Sequence, residues 1–175
     1  MSIEFDISES SEIKGVYILR PTISQDARGN IWTSYLKNEV ESLLPENLFF
    51  NHDKFSISKC NVLRGIHGDS KSWKLVTCVY GDIQQVVVDM RKDSETYMQW
   101  QSFDIGENSP QLILIPPNMG NAYYVKSKAA VYHYKLAYNG KYIDADEQFT
   151  INSDDETIGI NWIADHPILS NRDAN

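Results

Sequence analysis

One histidine between two cations is the feature of this sequence best suited to chemistry. Arg64, His67 and Lys74 share one polar stretch, flanked by the apolar, β-prone runs 62–63 and 75–79. Histidine takes up and returns a proton near neutral pH, whereas arginine and lysine bind anionic oxygens. Arg64 therefore suits a diphosphate, and Lys74 suits a developing oxyanion. The same spacing also fits a hairpin whose polar side chains only face water.

A tyrosine-rich run supplies a second candidate proton donor. Tyr132 and Tyr134 alternate with His133, so in a strand both phenols share one face and His133 lies on the other. If that face lines a cavity, a phenol can donate a proton opposite His67; if it does not, these are ordinary aromatic core residues. Asp173, near the C-terminus, either holds His67 in one tautomer or is a solvated tail acid.

Other kinds of site have weaker support in the sequence. The four histidines are His52, His67, His133 and His166. They form no His-x-His pair and have no carboxylate at ligand spacing, so we expect no metal. The chain has neither the Gly-x-Ser-x-Gly motif of serine hydrolases nor a glycine-rich phosphate loop. A metal site, a serine hydrolase and a phosphate-binding loop therefore have less support in the sequence than acid–base chemistry by the residues named above.

Composition restricts the class of protein. The 175 residues, 42% of them hydrophobic, predict one domain over 1–175. A net charge of −8 argues against binding to nucleic acid or an anionic membrane. The N-terminus has no basic start, and no run is long enough to span a bilayer, so we expect a cytoplasmic protein. Cys60 and Cys78 are expected to be buried free thiols.

The elements that must position these groups are mostly short strands. Turn-rich sequences at 81–82, 106–110, 116–118 and 139–140 predict an all-β sandwich or barrel, and apolar spacing predicts one short helix over 36–44. The run 86–88 is apolar on both faces, which predicts cover by a second sheet or a subunit and favours a dimer. The extended runs are 13–19, 31–35, 48–50, 54–59, 75–80, 83–90, 100–105, 111–115, 122–125, 129–137 and 149–151.

Eight sequence blocks lie in order along nearly the whole chain. They are Asp26-x-Arg28-Gly29, Asn61-Val-Leu-Arg64-Gly65-Ile-His67, Lys74-Leu-Val, Gly81-Asp82-x-x-x-Val-x-Val-Asp89-x-Arg91-x-x-Ser94, Ile115-Pro116, Tyr134-Lys135, Ile158-Gly159-Ile160-x-Trp162 and Leu169-Ser170-x-x-Asp173. Together they resemble the dTDP-4-dehydrorhamnose 3,5-epimerase family, cupin-type enzymes of nucleotide-sugar metabolism. The Arg-Gly-Ile-His block is the most specific of the eight.

The resemblance implies a homodimeric cupin jelly-roll β-sandwich with one or two short helices and without a metal or any other cofactor. It implies an isomerase acting on a nucleoside-diphosphate-linked 4-keto-6-deoxy sugar, for surface polysaccharide biosynthesis. His67 would remove the proton beside the ketone with Asp173 as its partner, and Lys74 would stabilise the enolate oxygen. Tyr134 would return a proton to the opposite face of the sugar.

The resemblance also implies substrate contacts. Arg64 matches a diphosphate contact, and Arg28 matches a nucleotide contact that comes from the neighbouring subunit. The other predicted substrate-binding residues are His52, Lys54, Asn121 and Tyr142. Several wall positions depart from the family pattern: His52 replaces a glutamine, Lys54 an asparagine, Gln85 an aspartate, Asn121 a histidine and Ala122 a glycine.

Because the catalytic set is kept while the wall changes, the reaction type is predicted more firmly than the substrate. The nucleotide can be GDP, dTDP or CDP and the sugar a hexose or a heptose, and we expect a variant acting on a GDP-linked heptose. Inversion can affect carbon 3 alone or carbons 3 and 5. The alternatives are a sugar 3,4-ketoisomerase and a non-catalytic sugar-nucleotide-binding cupin.

Overall fold

The computed structural model describes residues 4–174, and most of its regular structure is β-strand. The strands are β1 (Phe5–Glu9), β2 (Tyr17–Pro21), β3 (Ile23–Asp26), β4 (Gly29–Trp32), β5 (Phe50–Lys59), β6 (Leu63–Gly68), β7 (Trp73–Tyr80), β8 (Asp82–Asp89), β9 (Trp100–Gly106), β10 (Leu112–Ile115), β11 (Met119–Val125), β12 (Ala129–Ala137) and β13 (Phe149–Thr150). The helical elements are α1 (Lys37–Val40) and the 3₁₀ turns Glu41–Leu43 and Ala145–Glu147. No helix within residues 4–174 is long and apolar enough to cross a bilayer.

Two sheets of antiparallel strands form a sandwich, which confirms the predicted fold class. The larger sheet has the strand order β1-β2-β10-β7-β12-β5, and the smaller has the order β13-β6-β11-β8-β9. β3 and β4 form a separate hairpin. Strands that follow one another in the chain often lie in different sheets, such as β6 and β7, so the chain crosses repeatedly between the layers, as in a jelly roll.

Apolar side chains from both sheets meet in a buried core between the layers. Val76, Ile113 and Tyr132 come from the larger sheet, and Val87 and Phe103 come from the smaller. Burying one such side chain stabilises a fold by about 1.5–3 kcal/mol. This shared core therefore fixes the two sheets against each other.

The apolar run 86–88 is covered by this chain itself, so it no longer indicates a subunit contact. Val87 packs in the core between the sheets. Val86 and Val88 point the other way and pack with Ile158 and Trp162, which follow β13. The C-terminal segment takes the place of the second sheet or the subunit that the sequence predicted for this face.

The polar stretch that holds the candidate histidine is mostly strand rather than a connection. Arg64 and His67 lie in β6, whereas Lys74 lies in β7, which belongs to the other sheet. The turn is limited to residues 69–72. The two strands do not form a hairpin, and these residues are polar because they line a cavity.

Both cysteines are free, as predicted. Cys78 is buried in β7, where burial raises the pKa of its thiol to about 11. Cys60 is exposed, contrary to the prediction, because it lies in the turn directly after β5.

A buried carboxylate closes the turn after β8. Asp89 accepts hydrogen bonds from the Arg91 guanidinium at 2.7 and 2.9 Å, the Ser94 hydroxyl at 2.6 Å and the Thr96 hydroxyl at 2.7 Å. Burial opposes ionisation of Asp89, but these bonds outweigh it and lower the pKa of Asp89 to about 2. The turn therefore depends on an ionised Asp89.

We expect Asp89→Asn to lower the free energy of unfolding near pH 7 by about 2 kcal/mol. Because the pKa of Asp89 in the folded protein lies below its ordinary value of 3.8, the advantage of the wild type is present above about pH 4 and is lost as the pH falls towards 2. Urea unfolding of both proteins between pH 2 and 7 measures this difference. The control Asp104→Asn removes an exposed carboxylate and should leave stability nearly unchanged. A wild-type advantage that is the same at pH 2 and pH 7 would contradict the assignment.

Candidate active site

A cavity of about 340 Å³ opens between the two sheets, and most of the predicted site residues line it. Eight of the ten do so: Lys54, Arg64, His67, Lys74, Asn121, Tyr134, Tyr142 and Asp173. Residues 144–148 and the C-terminal segment complete the wall. Residues far apart in sequence therefore converge on one space large enough for part of a small-molecule ligand.

His67 is paired with a buried acid. Its Nε2 lies 2.5 Å from Oδ1 of Asp173. Burial opposes ionisation of that carboxyl, but the bond to His67 outweighs it and lowers the pKa of Asp173. Since a carboxylate only accepts hydrogen bonds, Nε2 carries the proton of the neutral imidazole, and Nδ1 is left to take a proton from a ligand.

The C-terminal segment brings Asp173 to His67 by pairing with the start of β6. The Leu63 amide donates to the Ile168 carbonyl at 3.1 Å, and the Ile168 amide donates to the Asn61 carbonyl at 2.7 Å. This bridge fixes the segment five residues before Asp173. The distance between His67 and Asp173 in sequence therefore does not prevent a short contact in the fold.

Tyr134 lies in the wall opposite His67, because β12 and β6 belong to different sheets. Burial raises the pKa of Tyr134, while Lys54 acts in the opposite direction. The phenol is thus protonated near neutral pH and can donate. Lys54 Nζ lies 5.9 Å from the centre of the Tyr134 ring and donates to the Tyr142 hydroxyl at 3.2 Å.

Arginine side chains line the cavity as well. Arg64 Nε donates to the Ser58 hydroxyl at 2.9 Å, and Arg172 Nε donates to the Thr150 hydroxyl at 2.8 Å. The Nη2 atom of Arg172 is buried and has no hydrogen-bond partner among the residues the structure describes. A buried guanidinium nitrogen without a partner in a cavity wall suits an anionic ligand.

Asn121 has a fixed amide orientation. Gln85 Nε2 donates to the Val86 carbonyl at 3.0 Å, so the Gln85 side-chain atom in this position is the amide nitrogen. The same nitrogen donates to Asn121 Oδ1 at 2.7 Å. The Tyr132 hydroxyl donates to Gln85 Oε1 at 2.8 Å. With its oxygen bonded in this way, Asn121 can present the Nδ2 hydrogens to a ligand.

Two predicted substrate-binding residues do not line the cavity. Arg28 lies at the tip of the β3–β4 hairpin, where its exposed guanidinium pairs with Asp26 at 2.6 Å. His52 lies behind Tyr142, with 5.0 Å between the ring centres, and its Nδ1 is 3.1 Å from the Tyr138 hydroxyl. Within this chain, His52 supports the wall, and Arg28 is remote from it.

Sequence reasoning gave no role to two charged residues at the site. Arg172 directly precedes Asp173 in the last of the eight sequence blocks, and that position was the indication in the sequence that it could lie at the site. Asp69 accepts a hydrogen bond from Lys74 Nζ at 3.1 Å. In the sequence, this contact was indicated only by an acidic residue five positions before a lysine. Among residues 4–174, no group of three or more His, Cys, Asp and Glu side chains is arranged to hold a metal ion.

Comparison with known sequences identifies relatives over nearly the whole chain. The family model for dTDP-4-dehydrorhamnose 3,5-epimerase matches residues 10–175. The dTDP-4-dehydrorhamnose 3,5-epimerase of Salmonella typhimurium is 34% identical over 166 residues, which cover 93% of this chain and 89% of that protein. The match therefore extends well beyond the residues around the cavity.

Comparison with solved structures gives the same result. The dTDP-6-deoxy-D-glucose-3,5-epimerase of Legionella pneumophila, in complex with dTDP-4-keto-L-rhamnose, has a TM-score of 0.88 and 30% identity, covering 98% of this chain and 90% of that one. A 4-keto-6-deoxy sugar epimerase from the novobiocin gene cluster of Streptomyces spheroides has a TM-score of 0.87 and 26% identity, covering 100% and 86%.

Proposed function

The chain belongs to the dTDP-4-dehydrorhamnose 3,5-epimerase family and is an isomerase of nucleotide-linked 4-keto-6-deoxy sugars; on this premise we propose that His67 and Tyr134 invert the sugar by proton transfer. His67 takes the proton from the carbon beside the ketone, and Asp173 holds its imidazole in the required tautomer. Tyr134 returns a proton from the other side. The observation that carries this proposal is the position of the two side chains in opposite walls of one cavity.

Inversion needs two proton-transferring groups, because a base that returns its own proton restores the starting configuration. A hydrogen beside a carbonyl is also only weakly acidic, so the enolate must be stabilised as it forms. Lys74, buried in the same wall as Tyr134, supplies a positive charge for the enolate oxygen. Together, these three side chains provide a base, an acid and an oxyanion contact.

The charges of the cavity fit a diphosphate. The chain as a whole has a net charge of −8, yet four cations line the cavity: Lys54, Arg64, Lys74 and Arg172. The Nη2 atom of Arg172, which has no hydrogen-bond partner within residues 4–174, and the guanidinium of Arg64 are suited to phosphate oxygens, which arginine binds in bidentate geometry. Asn121 Nδ2 is available to a hydroxyl or carbonyl oxygen of the sugar.

We propose a dTDP-linked hexose as the substrate, since the names of the relatives reported above specify dTDP wherever they specify a nucleotide. The expectation of a GDP-linked heptose has no support among them and rests only on changed wall residues such as Asn121 and Lys54. Inversion at both carbon 3 and carbon 5, a cytoplasmic location and a role in surface polysaccharide synthesis belong to the same proposal.

Proton NMR in deuterated water tests this function directly. We expect the wild type to exchange the hydrogens at carbons 3 and 5 of a dTDP-linked 4-keto-6-deoxy hexose, in a panel that includes GDP-linked hexose and heptose. His67→Asn, which removes the base, should lose about 10³-fold or more in exchange rate. His166→Asn, the same change at an exposed histidine, should not.

The outcomes of the panel are distinct. Exchange at carbon 3 alone would identify a 3-epimerase, and preference for the heptose would replace the proposed substrate. Migration of the keto group would identify a 3,4-ketoisomerase. Binding without exchange of any panel member would contradict catalysis and favour a sugar-nucleotide-binding protein.

We also propose that the protein works as a homodimer in which the partner subunit's Arg28 reaches this chain's nucleotide. Arg28 is remote from its own cavity, and its hairpin carries the exposed apolar residues Ile23 and Ile31. Phe55 and Ile57, on the edge strand β5 of the larger sheet, are exposed as well. Burial of such side chains in an isologous contact would stabilise a dimer.

A mixture of two defective variants tests the shared site. Arg28→Ala should raise KM about tenfold with little change in kcat, since it removes one charged contact to the substrate. When Arg28→Ala is mixed with His67→Asn under conditions that allow subunit exchange, the mixture should reach about a quarter of the wild-type rate at low substrate concentration. The reason is that each heterodimer has one intact site. If the mixture has only the average rate of its two components, Arg28 does not act across subunits.

A further inference from the structure

Asp69 lies behind the cavity wall and contacts the lysine within it. Its side chain is buried and does not line the cavity, and its Oδ2 accepts the hydrogen bond from Lys74 Nζ. Within residues 4–174, this is the one hydrogen bond and ion pair that the Lys74 ammonium makes. Asp69 is therefore not a lining residue of the cavity, and its contact with the cavity wall is made through Lys74.

The same carboxylate is fixed independently of Lys74. Its Oδ1 accepts the backbone N–H groups of Lys71 at 2.9 Å and Ser72 at 2.6 Å, which is an Asx-type turn. The Asp69 carbonyl accepts the backbone N–H of Asn118 at 2.7 Å, directly before β11. Asp69 is thus anchored to the ends of β6, β7 and β11, so its Oδ2 is a rigid acceptor for Lys74.

Each member of this pair favours the charged form of the other. Burial lowers the pKa of Lys74, and Asp69 opposes that effect without cancelling it. Burial also opposes ionisation of Asp69, but Lys74 and the turn N–H groups outweigh it and lower the pKa of Asp69. A buried lysine without such a partner tends to lose its proton, and a neutral amine cannot stabilise negative charge on an oxygen.

We propose that Asp69 is a positioning residue whose carboxylate holds Lys74 in the cavity wall as an ammonium ion aimed at the developing oxyanion. The inference rests on the proposed function for the role of Lys74, and it assigns a part in the reaction to a residue outside the cavity. The ion pair itself does not depend on the reaction. The two parts can therefore be tested separately.

Asp69→Asn is the sharpest variant, because an amide oxygen can still accept the turn N–H groups while the negative charge is removed. We expect the alkaline limb of the kcat profile to move to lower pH by about one pH unit or more, with activity partly recovered as the pH is lowered. Asp69→Glu keeps a carboxylate beside Lys74, so its alkaline limb should lie close to that of the wild type. If Asp69→Asn does not fold, Asp69→Ser replaces it, since serine also accepts turn N–H groups.

NMR titration of enzyme labelled with ¹³C in its lysine side chains provides a readout independent of activity. The Lys74 signal, assigned by its loss in Lys74→Met, should titrate at a pH lower by about one pH unit or more in Asp69→Asn than in the wild type. A variant that only disturbed the turn would lower kcat equally at all pH values and leave that titration unchanged.

The outcomes separate the two proposals. Lys74→Met should lose about 10²-fold or more in kcat at every pH, as expected for an oxyanion contact. If it keeps wild-type kcat, the role of Lys74 in the proposed function falls, and this inference falls with it. If Lys74→Met is inactive but Asp69→Asn moves neither the pH profile nor the Lys74 titration, only the inference about Asp69 is overturned.

Discussion

Face-to-face packing of two sheets is the constraint on which the site depends. Side chains of β6 and of β7 and β12 approach the cavity from different layers, so His67 faces Tyr134 and Lys74 across it. A single sheet would place a base and an acid side by side. Such a pair could exchange a proton with a ligand but could not deliver protons to two opposite faces of that ligand. The buried core that includes Val76 and Val87 fixes the separation of the layers, and therefore the positions from which His67, Tyr134 and Lys74 can reach a ligand.

Charge buried in the wall is the second requirement, and two of the charged groups there, Asp173 and Lys74, have partners that stabilise them. Asp173 is ionised beside His67, and Lys74 is paired with Asp69. Such pairs contribute little to stability after desolvation is counted. Their value lies in holding charge in a fixed place where it can act on a ligand. Arg172, with a buried nitrogen that lacks a protein partner among the described residues, is the group we expect a ligand to complete.

Turn spacing predicted most of the strands, and the predicted run 129–137 has the same bounds as β12, but β1, β3 and most of β6 were not predicted as strands. The resemblance predicted that His67 and Asp173 would meet, and the structure brings them together. Asp69 was missed because a buried ion pair depends on how a turn folds back against its strand, which residue spacing does not reveal. The cover of the run 86–88 was predicted correctly for Val87, which faces the second sheet, but not for Val86 and Val88. Periodicity indicates that a face is covered but not which segment covers it.

Tyr134→Phe in deuterated water tests whether the two walls have different roles in one inversion. Proton NMR should then show that His67 still exchanges the hydrogen beside the ketone while the inverted product no longer accumulates. Tyr97→Phe, the same change at a partly exposed tyrosine outside the cavity, serves as the control. Inversion by Tyr134→Phe at the wild-type rate would contradict the account, because the second proton would then come from another group.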